Sequence, residues 1–162
     1  MRKLLVVSTF GLLSPLTFLV AQAQPAPLQV TGAVAHPLSW SAAEVAQQPH
    51  ITVKAKGKNG KTHRYSGIAL STILTAAGAV ADNKLHGKEL LKTLRVTGAD
   101  GYEVAFALAE LDSSFAPRPI ILADSRDGQP LPAEDGPWEI IVPGEKKPGR
   151  WVRHVAALRV VE

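Results

Sequence analysis

Hydrophobic and polar positions alternate over much of the chain, and short stretches of helical spacing lie between the alternating runs. Leu28 and Val30, followed by Gly32-Ala33-Val34, predict a first strand. Ser41 then stands as a helix N-cap with Glu44 at the capping-box position, so a short helix is expected over Ala42 to Val45. Ile51, Val53 and Ala55 fall on one face and Thr52, Lys54 and Lys56 on the other, the pattern of a half-buried strand. Asn59-Gly60 predicts a tight two-residue hairpin turn, with Lys61 to Tyr65 returning as the partner strand. Ile68, Leu70, Ile73, Leu74 and Ala77 have helical spacing, and Gly78 is a stop. A helical turn is expected at Lys88 to Lys92, strands at Leu94 to Val96 and Tyr102 to Phe106, and a further turn at Ala107 to Leu111. Ile120 to Leu122 and Trp138 to Val142 read as buried strands. Val152 to Ala156 predicts a helical turn and Ala157 to Val161 a last strand. The sum is a single α+β domain that is mostly β.

The first residues have a different character. Arg2 and Lys3 precede an apolar stretch from Leu4 to Val20, and Ala21-Gln22-Ala23 supplies a small-x-small cleavage pattern. This predicts a signal peptide over 1–23, a flexible leader over 24–27 and a domain over 28–162. Arg2 is followed by Lys3, not by a second arginine, so the expected route is the general one, not the twin-arginine one. The expected location is the periplasm or the outside, with no stable membrane insertion after cleavage.

Composition narrows the chemistry. Cysteine is absent from the 162 residues, which excludes disulfides, zinc–thiolate sites, iron–sulfur clusters and cysteine nucleophiles. The net charge of +4 is too small, without a dense basic patch, to imply nucleic acid as a partner. The five histidines, His36, His50, His63, His86 and His154, make no local metal pair and read as dispersed surface residues. Ser113-Ser114 and Ser125 lack a nucleophile-elbow context, and Asp124, Asp127, Glu134 and Asp135 read as solvated loop charges without calcium-loop order. Ala55 to Thr62 fits a loose phosphate-loop pattern, but His63 to Gly67 continues as a strand where that motif needs a helix. Lys146, Lys147, Arg150, Arg153 and His154 gather around Trp151, either as an exposed basic loop or as an anion pocket.

From Leu28 onward the order of motifs resembles the molybdopterin-binding domain of the sulfite oxidase family, in its small exported stand-alone form. The matching pieces begin with Val30-x-Gly32-x-Val34 and Pro37, then Tyr65-x-Gly67-Ile68-x-Leu70, Ile73-Leu74 and Ala77-Gly78. They continue with Ala99-Asp100-Gly101-Tyr102, Leu108-x-Glu110-Leu111, Leu122-Ala123 and Asp127-Gly128-x-Pro130-Leu131. Gly136-Pro137, Ile141-Val142-Pro143 and Arg150-Trp151-Val152 complete the series. The resemblance implies a sulfite oxidase molybdopterin-domain-like fold, mostly β, with mixed sheets and short peripheral helices. It also implies that a cysteine thiolate near the Ile51 to Tyr65 hairpin would hold molybdenum. Ala55 or a neighbour occupies that region instead. Where the family has an arginine after its Gly-x-Pro segment this chain has Glu139, and Asp135 stands where a histidine often precedes that glycine.

These departures lead to the expectation of a degenerate, non-catalytic domain with no cofactor. It would bind a small anion or a periplasmic partner protein through a remnant pterin groove near Asp100, Tyr102, Arg150 and Arg153. The alternatives are a genuine molybdopterin-dependent oxidoreductase of the sulfite oxidase type and a structural partner subunit without ligand.

Overall fold

The computed structural model describes residues 25–79 and 85–162. The expected signal peptide over 1–23 and the first leader residue, Gln24, lie outside the described residues. Two five-stranded sheets carry the fold. The first runs β2 (Leu38–Trp40), β1 (Leu28–Gly32), β10 (Val155–Val161), β5 (Thr93–Gly98), β6 (Glu103–Ala107). It is mixed, because β1 and β10 are parallel and the other neighbours antiparallel. The second runs β3 (Ile51–Lys56), β4 (Thr62–Ala69), β7 (Ile121–Arg126), β8 (Gln129–Pro130), with β9 (Glu139–Ile141) also pairing β7. Helices α1 (Ala42–Ala46), α2 (Leu70–Ala76) and α3 (Leu108–Leu111) are short, as is a 3-10 turn at Gly87–Leu91. None is long and apolar enough among the described residues to cross a membrane.

Local sequence chemistry accounts for much of this. The capping box forms as its residues predict: Ser41 N–H donates to the Glu44 carboxylate at 2.8 Å, and Glu44 N–H donates to Ser41 Oγ at 3.3 Å. Alternation places Leu28 and Val30 of β1, Leu94 and Val96 of β5 and Leu158 and Val160 of β10 in one buried cluster. Ile68, Leu70, Ile73, Ile121 and Ile140 belong to the same cluster, so both sheets and α2 share a core.

Three local expectations change. The helix expected from Ile68 starts at Leu70, because Ile68 and Ala69 remain in β4 and pair with Leu122 and Ile121 of β7. Pairing with β7 keeps these residues extended against their helical spacing. The helical turn expected at Val152 to Ala156 is absent. Ile140 N–H donates to the Val152 carbonyl at 2.8 Å, and β10 begins at Val155, so sheet pairing again takes the backbone. The hairpin tip has three residues instead of two. Gly57 N–H donates to the Lys61 carbonyl at 2.8 Å and Gly60 N–H to the Gly57 carbonyl at 2.9 Å. Gly60 alone takes the left-handed conformation there, at φ +75°, while Asn59 Oδ1 accepts the Lys61 N–H at 2.9 Å. Lys61 starts no helix, so the phosphate-loop reading has no support in the backbone.

The acidic loop residues are more engaged than expected. His50 lies between the Gln48 carbonyl, 2.6 Å from Nδ1, and Asp124 Oδ2, 2.7 Å from Nε2. Both partners accept, so the protonated ring, with a donor on each nitrogen, satisfies both contacts. Desolvation lowers the pKa of His50, but the Asp124 and Gln48 hydrogen bonds outweigh it and the net shift is upward from 6.5. This contact ties the start of β3 to β7. Its stabilisation is complete below about pH 6.5 and is lost as pH rises through the elevated folded-state pKa. Asp124→Asn is therefore expected to lower the melting temperature at pH 6 and to have little effect at pH 9. Thermal melts of both chains across that range check this, and an equal loss at both pH values would refute it.

Candidate functional site

The hairpin tip and the segment leading into β10 face each other across a groove. Two adjoining pockets of about 280 Å³ and 250 Å³ make it up, and both are walled by Lys58, Trp151 and Arg153. Lys58 reaches the groove because the three-residue tip holds it in the loop. Trp151 is 6% exposed and meets the buried Tyr65 ring edge to face at 5.6 Å, which fixes the floor. Its indole Nε1 is buried without a hydrogen-bond partner among the described residues. Arg153 follows on an extended backbone that bridges to Glu139 of β9.

Gly136 allows this arrangement. It has φ +92°, and a Cβ there would stand 2.5 Å from the His154 ring, so only glycine lets the Asp135 loop close over His154. His154 itself takes a positive φ of 49°, held by its N–H donating to the Asp135 carbonyl at 3.2 Å and its carbonyl accepting from Ala99 at 2.9 Å.

The four sequence-predicted site residues separate. Asp100, Tyr102 and Arg153 line the second pocket together. Asp100 Oδ1 accepts the Tyr102 N–H at 2.9 Å, and the Tyr102 hydroxyl donates to the Gly149 carbonyl at 2.7 Å. Asp100 thus shapes a turn that aims Tyr102 as a wall. Arg150 is not in the groove. It donates to Glu145 at 2.7 Å and to Glu110 at 3.0 Å, with its guanidinium 4.6 Å over the Phe106 ring. Two carboxylates and an aromatic face hold it outside both pockets, where it ties Glu110, Glu145 and Phe106 together.

The groove contains residues that the sequence reading passed over. Lys58 carries no site signal in the sequence beyond flanking Asn59-Gly60, with Lys61, as a basic tip. Arg126 extends from the end of β7 and donates to Asp135 at 3.2 Å. Asp135 is 8% exposed, so it is a buried partner and not a solvated loop charge. His63 is a half-buried wall of the first pocket, with Nδ1 2.6 Å from Asp127 and Nε2 3.1 Å from the Asn59 amide. The Arg64 N–H and then His63 hold the Asp127 carboxyl below the usual range. Among the described residues no three His, Asp or Glu side chains gather as a metal site. Lys58 and Arg153 have no carboxylate within ion-pair distance among those residues.

Glu139 stands at the centre of this electrostatic pattern. It is 3% exposed, lines the first pocket and accepts no hydrogen bond among the described residues. Burial, then the neighbouring Asp135 charge, pushes its pKa up from 4.5 to about 7, against the pull of Lys58, Arg153 and Arg126. The folded chain therefore holds a proton that the unfolded chain releases between about pH 4.5 and pH 7. Stability from this group is greatest below that window and falls as pH rises through it. Glu139→Gln removes the titration, so its melting temperature should gain on the parent chain between pH 4.5 and pH 7, then hold a constant lead. A difference independent of pH would show that Glu139 does not titrate there. Trp151→Ala should lower stability by roughly 3–5 kcal/mol in denaturant unfolding, the range for a large buried aromatic. A loss under about 1 kcal/mol would mean that the ring does not anchor the groove.

The family described as the oxidoreductase molybdopterin binding domain matches residues 19–162. Among solved structures the chain is similar to the sulfane dehydrogenase SoxCD from Paracoccus pantotrophus, at 23% identity and a TM-score of 0.66. That match covers 83% of this chain and 38% of the other, so the chain spans well under half the length of its structural relative, and the likeness is one of fold. No curated protein sequence matches the chain. The expectation that no cofactor is held is corrected by these matches. It rested on the missing cysteine, and the family match points to molybdopterin in spite of it. The motif order read along the strands, the two-sheet architecture and the matched span agree: the chain belongs to the oxidoreductase molybdopterin binding domain family.

Proposed function

We propose that this protein is an exported binding domain that takes a phosphate-bearing pterin of the molybdopterin type in the Lys58–Trp151–Arg153 groove, without the oxidoreductase chemistry of a thiolate-ligated metal. The observation that carries this reading is the pair of cations, Lys58 and Arg153, that share both pockets and have no carboxylate partner among the described residues. Neighbouring cations repel each other and are stabilised when an anion lies between them.

The residues fit the two parts of molybdopterin unequally. When bound, the group supplies molybdenum redox chemistry, which in this family is completed by a protein thiolate. The chain has no cysteine, and no other soft donor lines the groove. No step through the metal follows from these residues. The organic part fits better. Lys58 and Arg153 suit its phosphate, and the walls of Tyr65, Tyr102 and Trp151 suit a flat ring. Asp100 and Gly149 hold Tyr102 in place, so the wall does not have to be ordered on binding.

The leader pattern of Arg2, Lys3, an apolar run and Ala21-Gln22-Ala23 supports export by the general route to the periplasm or beyond. Ligand would then be acquired after export. The same face, with Lys146 and Lys147 exposed beside it, also suits the acidic surface of a periplasmic partner.

Inorganic pyrophosphate tests the anion site directly. The double variant Lys58→Ala, Arg153→Ala is expected to weaken its binding tenfold or more by calorimetry, on the order of one charge-assisted hydrogen bond, and added salt should weaken binding to the parent chain. Arg150→Ala should lower the melting temperature and leave pyrophosphate affinity unchanged. Absent binding, or binding unaltered in the double variant, would overturn the reading.

A further inference from the structure

Resting on the groove as an anion site, we infer that Glu139 forms a second subsite that accepts a paired N–H edge. The ligand is then bipolar, with a phosphate at one end and a neutral 2-amino-4-oxopyrimidine edge at the other. The geometry sets the chemistry of that second end. Glu139 and Arg153 are bridge partners on adjacent backbones, and Lys58 shares the same pocket, yet the carboxyl pairs with neither cation. Arg153 donates instead to the Glu134 carbonyl at 3.4 Å, and Arg126 is engaged by Asp135 at 3.2 Å. No hydrogen bond to the Glu139 carboxyl forms among the described residues, and the little of the side chain that is exposed opens on the first pocket. A pocket-lining carboxyl with no donor of its own is open to a ligand that supplies N–H groups.

The surroundings exclude most occupants of such a subsite. An amine or guanidinium would meet Lys58, Arg126 and Arg153 in the same pocket and be repelled. A carboxylate or phosphate would meet Glu139 and Asp135. A metal ion would lack ligands, since no cluster of three acidic or histidine side chains exists among the described residues. A neutral edge with two parallel N–H groups avoids all three conflicts and matches the two oxygens of one carboxylate. The aminopyrimidine edge of a pterin has this form, and so does that of guanine, whose exocyclic amino group hypoxanthine lacks.

The difference between guanine and hypoxanthine supplies the test. The intact chain is titrated with guanosine monophosphate, inosine monophosphate and inorganic pyrophosphate by calorimetry at about pH 8.5, where Glu139, with its pKa raised to about 7, is a carboxylate with two accepting oxygens. Guanosine monophosphate is expected to bind about tenfold or more tightly than inosine monophosphate, the scale of one hydrogen bond to a charged group. In Glu139→Gln the ratio should fall to near one, because an amide offers one acceptor and one donor, while pyrophosphate binds at least as tightly as before. Lys58→Ala with Arg153→Ala should weaken all three. Equal affinities in the parent chain, with pyrophosphate still bound, would overturn the Glu139 subsite and leave the anion site standing. A preference that survives in Glu139→Gln would overturn it too. If none of the three binds, the anion site fails and the subsite fails with it. The comparison of two nucleotides on the parent chain does not depend on any variant folding.

Discussion

The stretch from Trp151 to Val155 hydrogen-bonds to both sheets at once, and the groove exists because of it. Ile140 N–H donates to Val152 and Val155 N–H to Trp138, which ties the stretch to β9 of the second sheet. Ala99 N–H donates to His154, which ties it to the end of β5 in the first. Trp151 adds the packing term, with its ring set against Tyr65 of β4. These bonds leave the backbone no freedom to coil into a helical turn. They also send Arg150 and Arg153 to opposite sides, Arg150 to a pair of carboxylates and Arg153 to the groove wall.

Charge is distributed across the groove with an evident division. Arg126 and Asp135 satisfy each other, so they shape the wall and contribute little net field. Lys58 and Arg153 remain available to an incoming anion. Glu139 differs: its carboxyl lines the first pocket without an ion-pair or hydrogen-bond partner among the described residues. On the proposed reading, the missing cysteine and Glu139 both favour recognition of the organic part of a cofactor.

Much of the fold was legible along the chain. The strands at Leu28, Ile51, Leu94 and Ile120, the capping box at Ser41 and Glu44 and the stop at Gly78 all follow from alternation and cap chemistry, which act over a few residues. The readings that failed did so where pairing across the sheet competed with a local preference. Ile68 and Val152 have helical neighbours in sequence and strand neighbours in space. Asn59-Gly60 announced a turn but not its length, which depends on the register of Lys56 against Thr62. The candidate site was legible in part. Asp100, Tyr102 and Arg153 do share a pocket, whereas Arg150 does not.

By itself, then, the sequence determined a mostly β domain with short helices, the family to which the motif order belongs and the absence of a thiolate ligand. These depend on residue identity and short-range spacing. The tertiary structure alone decided which charges are free. Lys58, Arg126, Asp135, Glu139 and Arg153 come from a hairpin tip, a strand end, a loop and two bridged backbones. Whether a given cation is paired or open depends on distances between segments far apart in the chain, and no local pattern carries that information.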